Sequence, residues 1–142
     1  IIVAIAIPNL LNAIQRAKQR RTMGDIRSTA TAIEAYAVDF NRYPPAAAIT
    51  YPAGTAFPTA TFGKSASAYV SPTYIRVAPL TDGWNSWFLY SADTNGSAYV
   101  LASVAKNGTT DTNPPGGPTS DFNSDIIYIN GQFVQYPEGV QR

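Results

Sequence analysis

A chain of 142 residues fits one domain and leaves little room for two. Only 13% of residues are charged and 45% are hydrophobic, which excludes a disordered polyelectrolyte. Ten Lys and Arg against nine Asp and Glu leave a net charge of +1, so nothing overall points to nucleic acid or an acidic substrate. With no cysteine and no histidine, the chain has no disulfide, no thiol nucleophile, no Ser-His-Asp triad and no imidazole metal site.

The charge is uneven. Residues 1–42 carry six bases (Arg16, Lys18, Arg20, Arg21, Arg27, Arg42) and three acids (Asp25, Glu34, Asp39). The rest carry four bases and six acids, five of the acids at or beyond Asp93. A basic arm on a slightly acidic body suits head-to-tail packing of copies, although ordinary solvated charge reads the same way.

Ile1 to Ile14 is apolar except for Asn9 and Asn12. At about 1.5 Å per residue it spans roughly 21 Å, short of a ~30 Å hydrocarbon core. By itself it is neither a complete transmembrane helix nor a signal peptide, since no basic region precedes it. It opens without Met or a polar leader, so further residues are expected upstream. Pro8 removes one backbone donor and is expected to kink or loosen the helix. Beyond Gln15, residues Met23, Ile26, Ala30, Ile33, Ala37 and Phe40 alternate spacings of three and four, the stripe of an amphipathic helix. The helix is predicted to end near Asp39, ahead of Asn41-Arg42-Tyr43-Pro44-Pro45.

The arm, 1–43, therefore divides into an apolar segment, 1–14, and an amphipathic half, 15–40. The second half can bury its stripe on its own head, 44–142. The first has nothing in the chain to cover it, because a small body cannot reach the far end of a ~60 Å rod. Ile1, Ile2, Val3, Ile5, Ile7, Pro8, Leu10, Leu11 and Ile14 must be buried by lipid or by other copies. Arg16, Lys18, Arg20 and Arg21 form a basic belt just after this segment, suited to anionic headgroups before assembly and to acidic neighbours after it.

Residues 44–83 read as a long loop with one short helix near Ala66 to Val70. A sheet region, 84–137, follows. Trp87 to Ala92 and Ser97 to Ala105 are strand-like and joined by the turn residues Asp93-Thr94-Asn95-Gly96. Ile126 to Ile129 and Gln132 to Tyr136 flank Asn130-Gly131, a strong hairpin signal. The expected fold is α+β, a long N-terminal helix packed on an antiparallel sheet of about four strands.

The run from Ala4 to Pro44, with Ile7-Pro8-Asn9 embedded in its apolar part, resembles the N-terminal helix of type IV pilins and type II secretion pseudopilins. Asp82-Gly83-Trp84-Asn85-Ser86-Trp87 is similar to a turn of the major pseudopilin branch. The resemblance implies a subunit held in the inner membrane and drawn by an ATPase-driven machine into a helical filament cored by the apolar helices. The family's leader, cleavage site and near-terminal glutamate are expected upstream of the first residue. The absence of cysteine rules out the C-terminal disulfide of many pilins.

The resemblance also implies a calcium loop. Its positions match Ala105-Lys106-Asn107-Gly108 and Ser124-Asp125-Ile126, with Asp111 and Asp121 between them. Asn107, Asp111, Asp121, Ser124 and Asp125 are the candidate ligands, since calcium takes six to eight oxygens. Asn107 stands where the family has aspartate, and the ammonium of Lys106 opposes a cation. The competing arrangement is a solvated loop of Asx turns. The aromatics read as packing rather than an electron path.

These features describe an assembling subunit and not an enzyme. The reading is a major-pilin-like protein that polymerises through its apolar helix into a cell-surface type IV pilus-like filament. The alternative is the major pseudopilin of a periplasmic type II secretion pseudopilus. A second alternative is a membrane-anchored binding module. The partners implied are further copies, the inner membrane before assembly, and the pilus or secretion machinery; no nucleic acid is required.

Overall fold

The computed structural model describes residues 2–45, 67–92, 96–109 and 116–138, with the helical backbone alone at 2–8. Helix α1 runs from Ile2 to Phe40, 39 residues without a break at Pro8. Its interior is rich in Ala, Gln, Arg and Ile, mostly good helix formers. It stops at Asn41, which takes φ of 57° and donates its N–H to the Ala37 carbonyl at 2.7 Å. That is a left-handed C-cap, a conformation asparagine tolerates. Helix α2, Ser67–Val70, lies at the expected place. Most of the stretch 44–83 (46–66) and the residues Asp93, Thr94 and Asn95 of the first turn lie outside the described residues.

Five strands follow: β1 (Leu89–Ala92), β2 (Tyr99–Ser103), β3 (Gly117–Thr119), β4 (Ile126–Ile129) and β5 (Gln132–Pro137). Their order in the sheet is β1-β2-β4-β5-β3. The four expected strands are antiparallel neighbours; β3 is an additional edge strand, parallel to β5. Asn130 and Gly131, both at positive φ, close the β4–β5 hairpin.

Side chains alternate across the sheet as a period of two requires. Tyr90, Ala92, Tyr99, Leu101 and Ile126 face α1 and join Ile26, Ala30, Ile33 and Tyr36 in one core. Val100, Ala102 and Ile127 form a smaller cluster, with Leu89 and Ile129 packed against it. Strand β2 is buried along its whole length. On the helix, the buried face also takes Gln19, Thr22, Thr29 and Ala32. Of the expected stripe, Phe40 is exposed and stacks on Tyr36 with centroids 4.5 Å apart.

The head is fixed to α1 at three levels. At the lowest, Trp84 Nε1 donates to Gln15 Oε1 at 2.6 Å, and the Gly83 amide donates to Thr22 Oγ1 at 2.8 Å. In the middle, Glu34 accepts hydrogen bonds from the Tyr43 and Tyr99 hydroxyls at 3.2 and 3.1 Å. Burial, and then the Glu34 charge, push both phenols above their ordinary pKa. At the top, Tyr74 donates to Asp39 at 2.5 Å, and that bond raises its pKa to about 12.

The lowest contact depends on one buried carboxylate. Asp82 is 2% exposed; its Oδ1 accepts from the Trp84 and Ser86 amides, each at 2.9 Å, and its Oδ2 from the Ser103 hydroxyl at 2.6 Å. The turn so formed presses Gly83 onto the helix backbone. A Cβ there would lie 2.5 Å from the Lys18 carbonyl oxygen.

Gly83→Ala is therefore expected to destabilise the fold by about 1–3 kcal/mol through overpacking. Asp82→Ala should cost about 1–3 kcal/mol for each donor left dry. Urea unfolding midpoints measure both. A loss under about 0.5 kcal/mol in either variant, the level of an ordinary surface change, would mean the turn does not hold the head.

Candidate functional site

The structure separates the helix into a covered and an uncovered part. Every residue from Asn9 to Ile14 is exposed, and the contact with the head begins at Gln15. Leu10, Leu11 and Ile14 are 60%, 54% and 41% exposed. These are large apolar side chains in a run on one projecting helix, with Asn12 and Ala13 between Leu11 and Ile14. Ile2, Val3, Ile5, Ile7 and Pro8 continue that run, and only their backbone is described; Ile1 lies outside the described residues. Among the described residues, no helix is long and apolar enough to cross a membrane.

Directly above the run stands the basic belt. Arg16, Arg20 and Arg21 are exposed, and Lys18 is half-buried beside Gly83. Arg21 lies 3.7 Å from Asp25, one helical turn on, an exposed pair of small energetic weight. Partial burial pushes the Asp25 carboxyl up, against the opposing pull of Arg21.

The two ends of the candidate calcium loop come together. The Lys106 amide donates to the Phe122 carbonyl at 3.1 Å, which sets the 105–109 turn beside the 121–125 turn. Both ends contain Asx turns: Asn107 Oδ1 accepts from the Thr109 amide at 3.2 Å and Asp121 Oδ1 from the Asn123 amide at 2.9 Å. Asn107 and Asp121 are exposed, Ser124 is half-buried and Asp125 is buried. The Asp125 carbonyl accepts from Gln135 Nε2 at 2.8 Å. Asp111 lies outside the described residues. Among the described residues, no three acidic groups gather in metal-binding fashion. The donor set is nevertheless all hard oxygen, the chemistry calcium takes, and each Asx carbonyl or carboxylate oxygen keeps a second lone pair.

An open groove of about 570 Å³ separates α1 from the β4–β5 hairpin, lined by Met23, Arg27, Thr31, Tyr128, Phe133 and Tyr136 among others. The Arg27 guanidinium lies 5.2 Å from the Phe133 ring centre. Hydrophobic spacing along α1 gives Met23 but not the groove, which forms only when the hairpin docks. The Gln15–Trp84 and Thr22–Gly83 contacts are likewise long-range, and the Asp82–Trp87 motif was their one local signal.

A family model for type II secretion system protein G matches residues 9–119. No curated protein and no solved structure matches the chain. The match spans the exposed end of the helix, the belt, the Asp82 turn and three of the strands. It covers well over half of the chain, and the family is one of structural pseudopilins and not of known enzymes. A pilin-type helix, a head pinned to it at Asp82–Trp84, and this match together make the chain a member of the type II secretion system protein G family.

Proposed function

We propose that this chain is a filament subunit whose assembly is driven by burial of the projecting apolar helix against the same segment of other copies. The exposure of Leu10, Leu11 and Ile14 below the last head contact carries the reading. Burying each such side chain from water is worth roughly 1.5–3 kcal/mol. Lipid is the alternative environment before assembly, so the net gain per residue is smaller and a driving machine is needed. The family favours a short periplasmic pseudopilus over a cell-surface pilus, with the inner membrane as the place of the unassembled subunit.

Leu11→Asp should abolish filaments and leave the head's unfolding midpoint unchanged, because Leu11 lies below every head contact described above. Electron microscopy of overexpressing cells is the measurement. Intact filaments from the variant would overturn the packing model. Long fibres built from this chain in material sheared off native cells would make it a surface pilin instead.

The groove beside Arg27 and Phe133 favours one second reading, a membrane-anchored binding module. That reading requires a monomer in detergent and no fibres on overexpression.

Calcium at the loop of Asn107, Asp111, Asp121, Ser124 and Asp125 is also proposed. It would tie the two turns together through oxygens that now bond only their own backbone at Asn107 and Asp121. The thermal midpoint should then rise in millimolar calcium relative to EDTA, by about 2.7 kcal/mol of stability at a hundredfold excess over Kd. Asp121→Asn keeps the local turn and should remove the response. No calcium response in the parent chain would leave the loop standing on its Asx turns alone.

A further inference from the structure

Three loops meet at the end of the head nearest the projecting helix. The Asp82–Trp87 turn lies on α1 at Gln15 to Thr22. The 105–109 turn lies against it, since a side chain at Gly108 would meet Ser86 Oγ at 3.9 Å. The 121–125 turn is joined to the second by the Lys106–Phe122 bond. Both tryptophans of the chain, Trp84 and Trp87, belong to the first loop. Trp84 is half-buried, with its N–H held by Gln15; Trp87 is 48% exposed.

The charge at this end is one-sided. Arg16, Lys18, Arg20 and Arg21 ring the helix, and Lys106 is exposed on the second loop. Against them stand Asp25, already paired with Arg21, and the exposed Asp121; Asp125 is buried, and Asp82 is buried and accepts three hydrogen bonds, two from the turn and one from Ser103. Along the helix the order is exposed aliphatic side chains up to Ile14, then Trp84 at Gln15, then the cations from Arg16 to Arg21, with Trp87 in the same loop as Trp84. A bilayer presents the matching order: hydrocarbon, then the interfacial zone that indoles favour, then anionic headgroups.

We propose that this base of the head rests on an anionic bilayer surface in the unassembled subunit. Arg16, Arg20, Arg21 and Lys106 meet lipid phosphates, and Trp84 and Trp87 sit at headgroup depth. The proposal rests on the membrane-held subunit of the preceding section and names the lipid chemistry and the residues that read it. Each cation near such a surface is worth roughly fivefold in affinity, so three arginines together amount to about a hundredfold.

The test is sedimentation of the chain with vesicles of phosphatidylcholine alone and of phosphatidylcholine mixed with phosphatidylglycerol. The mixed vesicles should bind more tightly, and the triple variant R16Q/R20Q/R21Q should lose most of that gain. R42Q/R76Q, changed at the other end of the head, should keep it. Brominated lipid should quench the tryptophan emission of the bound chain, and W87F should still be quenched through Trp84. Equal binding to both vesicles, or unquenched emission, would overturn the proposal while leaving a membrane-held subunit intact. Binding to neither would overturn the membrane-held subunit as well. A triple variant that keeps its gain on mixed vesicles but forms no filaments would assign the belt to a neighbouring copy, which also overturns the proposal.

Discussion

A helix of 39 residues is about 58 Å long, and strands of three to six residues reach only about 20 Å each. Among the described residues, the head meets the helix from Gln15 upward. Below that level no described residue of the head covers the helix, and Asn9 to Ile14 are exposed. The consequence is a division of labour along a single element. The upper part of α1 is a core helix, with Ile26 and Ile33 fully buried against the sheet. The lower part leaves Leu10, Leu11 and Ile14 exposed, the surface that the proposed assembly would bury.

The mismatch in length between helix and head explains why their attachment is polar as well as apolar. A projecting rod acts as a lever on whatever holds it. Apolar contacts resist separation but are not directional. Hydrogen bonds from Trp84 to Gln15, from Tyr99 to Glu34 and from Tyr74 to Asp39 fix rotation and register at levels spread over about 36 Å of helix. Small polar side chains serve the close approach. Thr22 returns its hydroxyl to the Lys18 carbonyl at 2.8 Å while accepting the Gly83 amide, so one oxygen satisfies the helix and the turn together. A force applied to the projecting end of α1 would pass through these contacts to the head.

Much of this was legible in the residues. Spacings of three and four gave α1, and Asn41 followed by Pro44 placed its end within a residue of Phe40. Asn130-Gly131 gave the hairpin, and the apolar run gave the exposed Leu10, Leu11 and Ile14 on which the proposed assembly rests. What was not legible depends on contacts between distant residues. The buried face of α1 includes Thr22, Thr29 and Tyr36 and leaves Phe40 exposed; Thr22 packs where the turn comes closest, and a hydrophobic pattern does not register threonines. Strand β3 escaped because Gly117-Pro118-Thr119 has no strand character of its own. It exists through parallel pairing with β5, at a sheet edge where a proline is tolerated. The candidate calcium residues were legible as a set only through family resemblance. The fold adds that both ends of their loop meet at Lys106 and Phe122.

That meeting point gives the base of the head its significance. The Asp82 turn, the two ends of the loop and the basic belt occupy one end of the described molecule, adjoining the exposed apolar segment. A cation that leaves a lipid phosphate for a buried interface is desolvated at a cost unless an anion receives it there. Under the proposed assembly the belt moves from headgroups to the surfaces of neighbouring copies. Residues 43–142 carry six acids against four bases. Exchanging one set of anions for another keeps the arginines solvated or paired throughout, while the apolar run exchanges lipid for its own kind. Under that proposal each exchange gains less than burial from water would, so the burial that drives assembly still needs the machine to lift the subunit out of the bilayer.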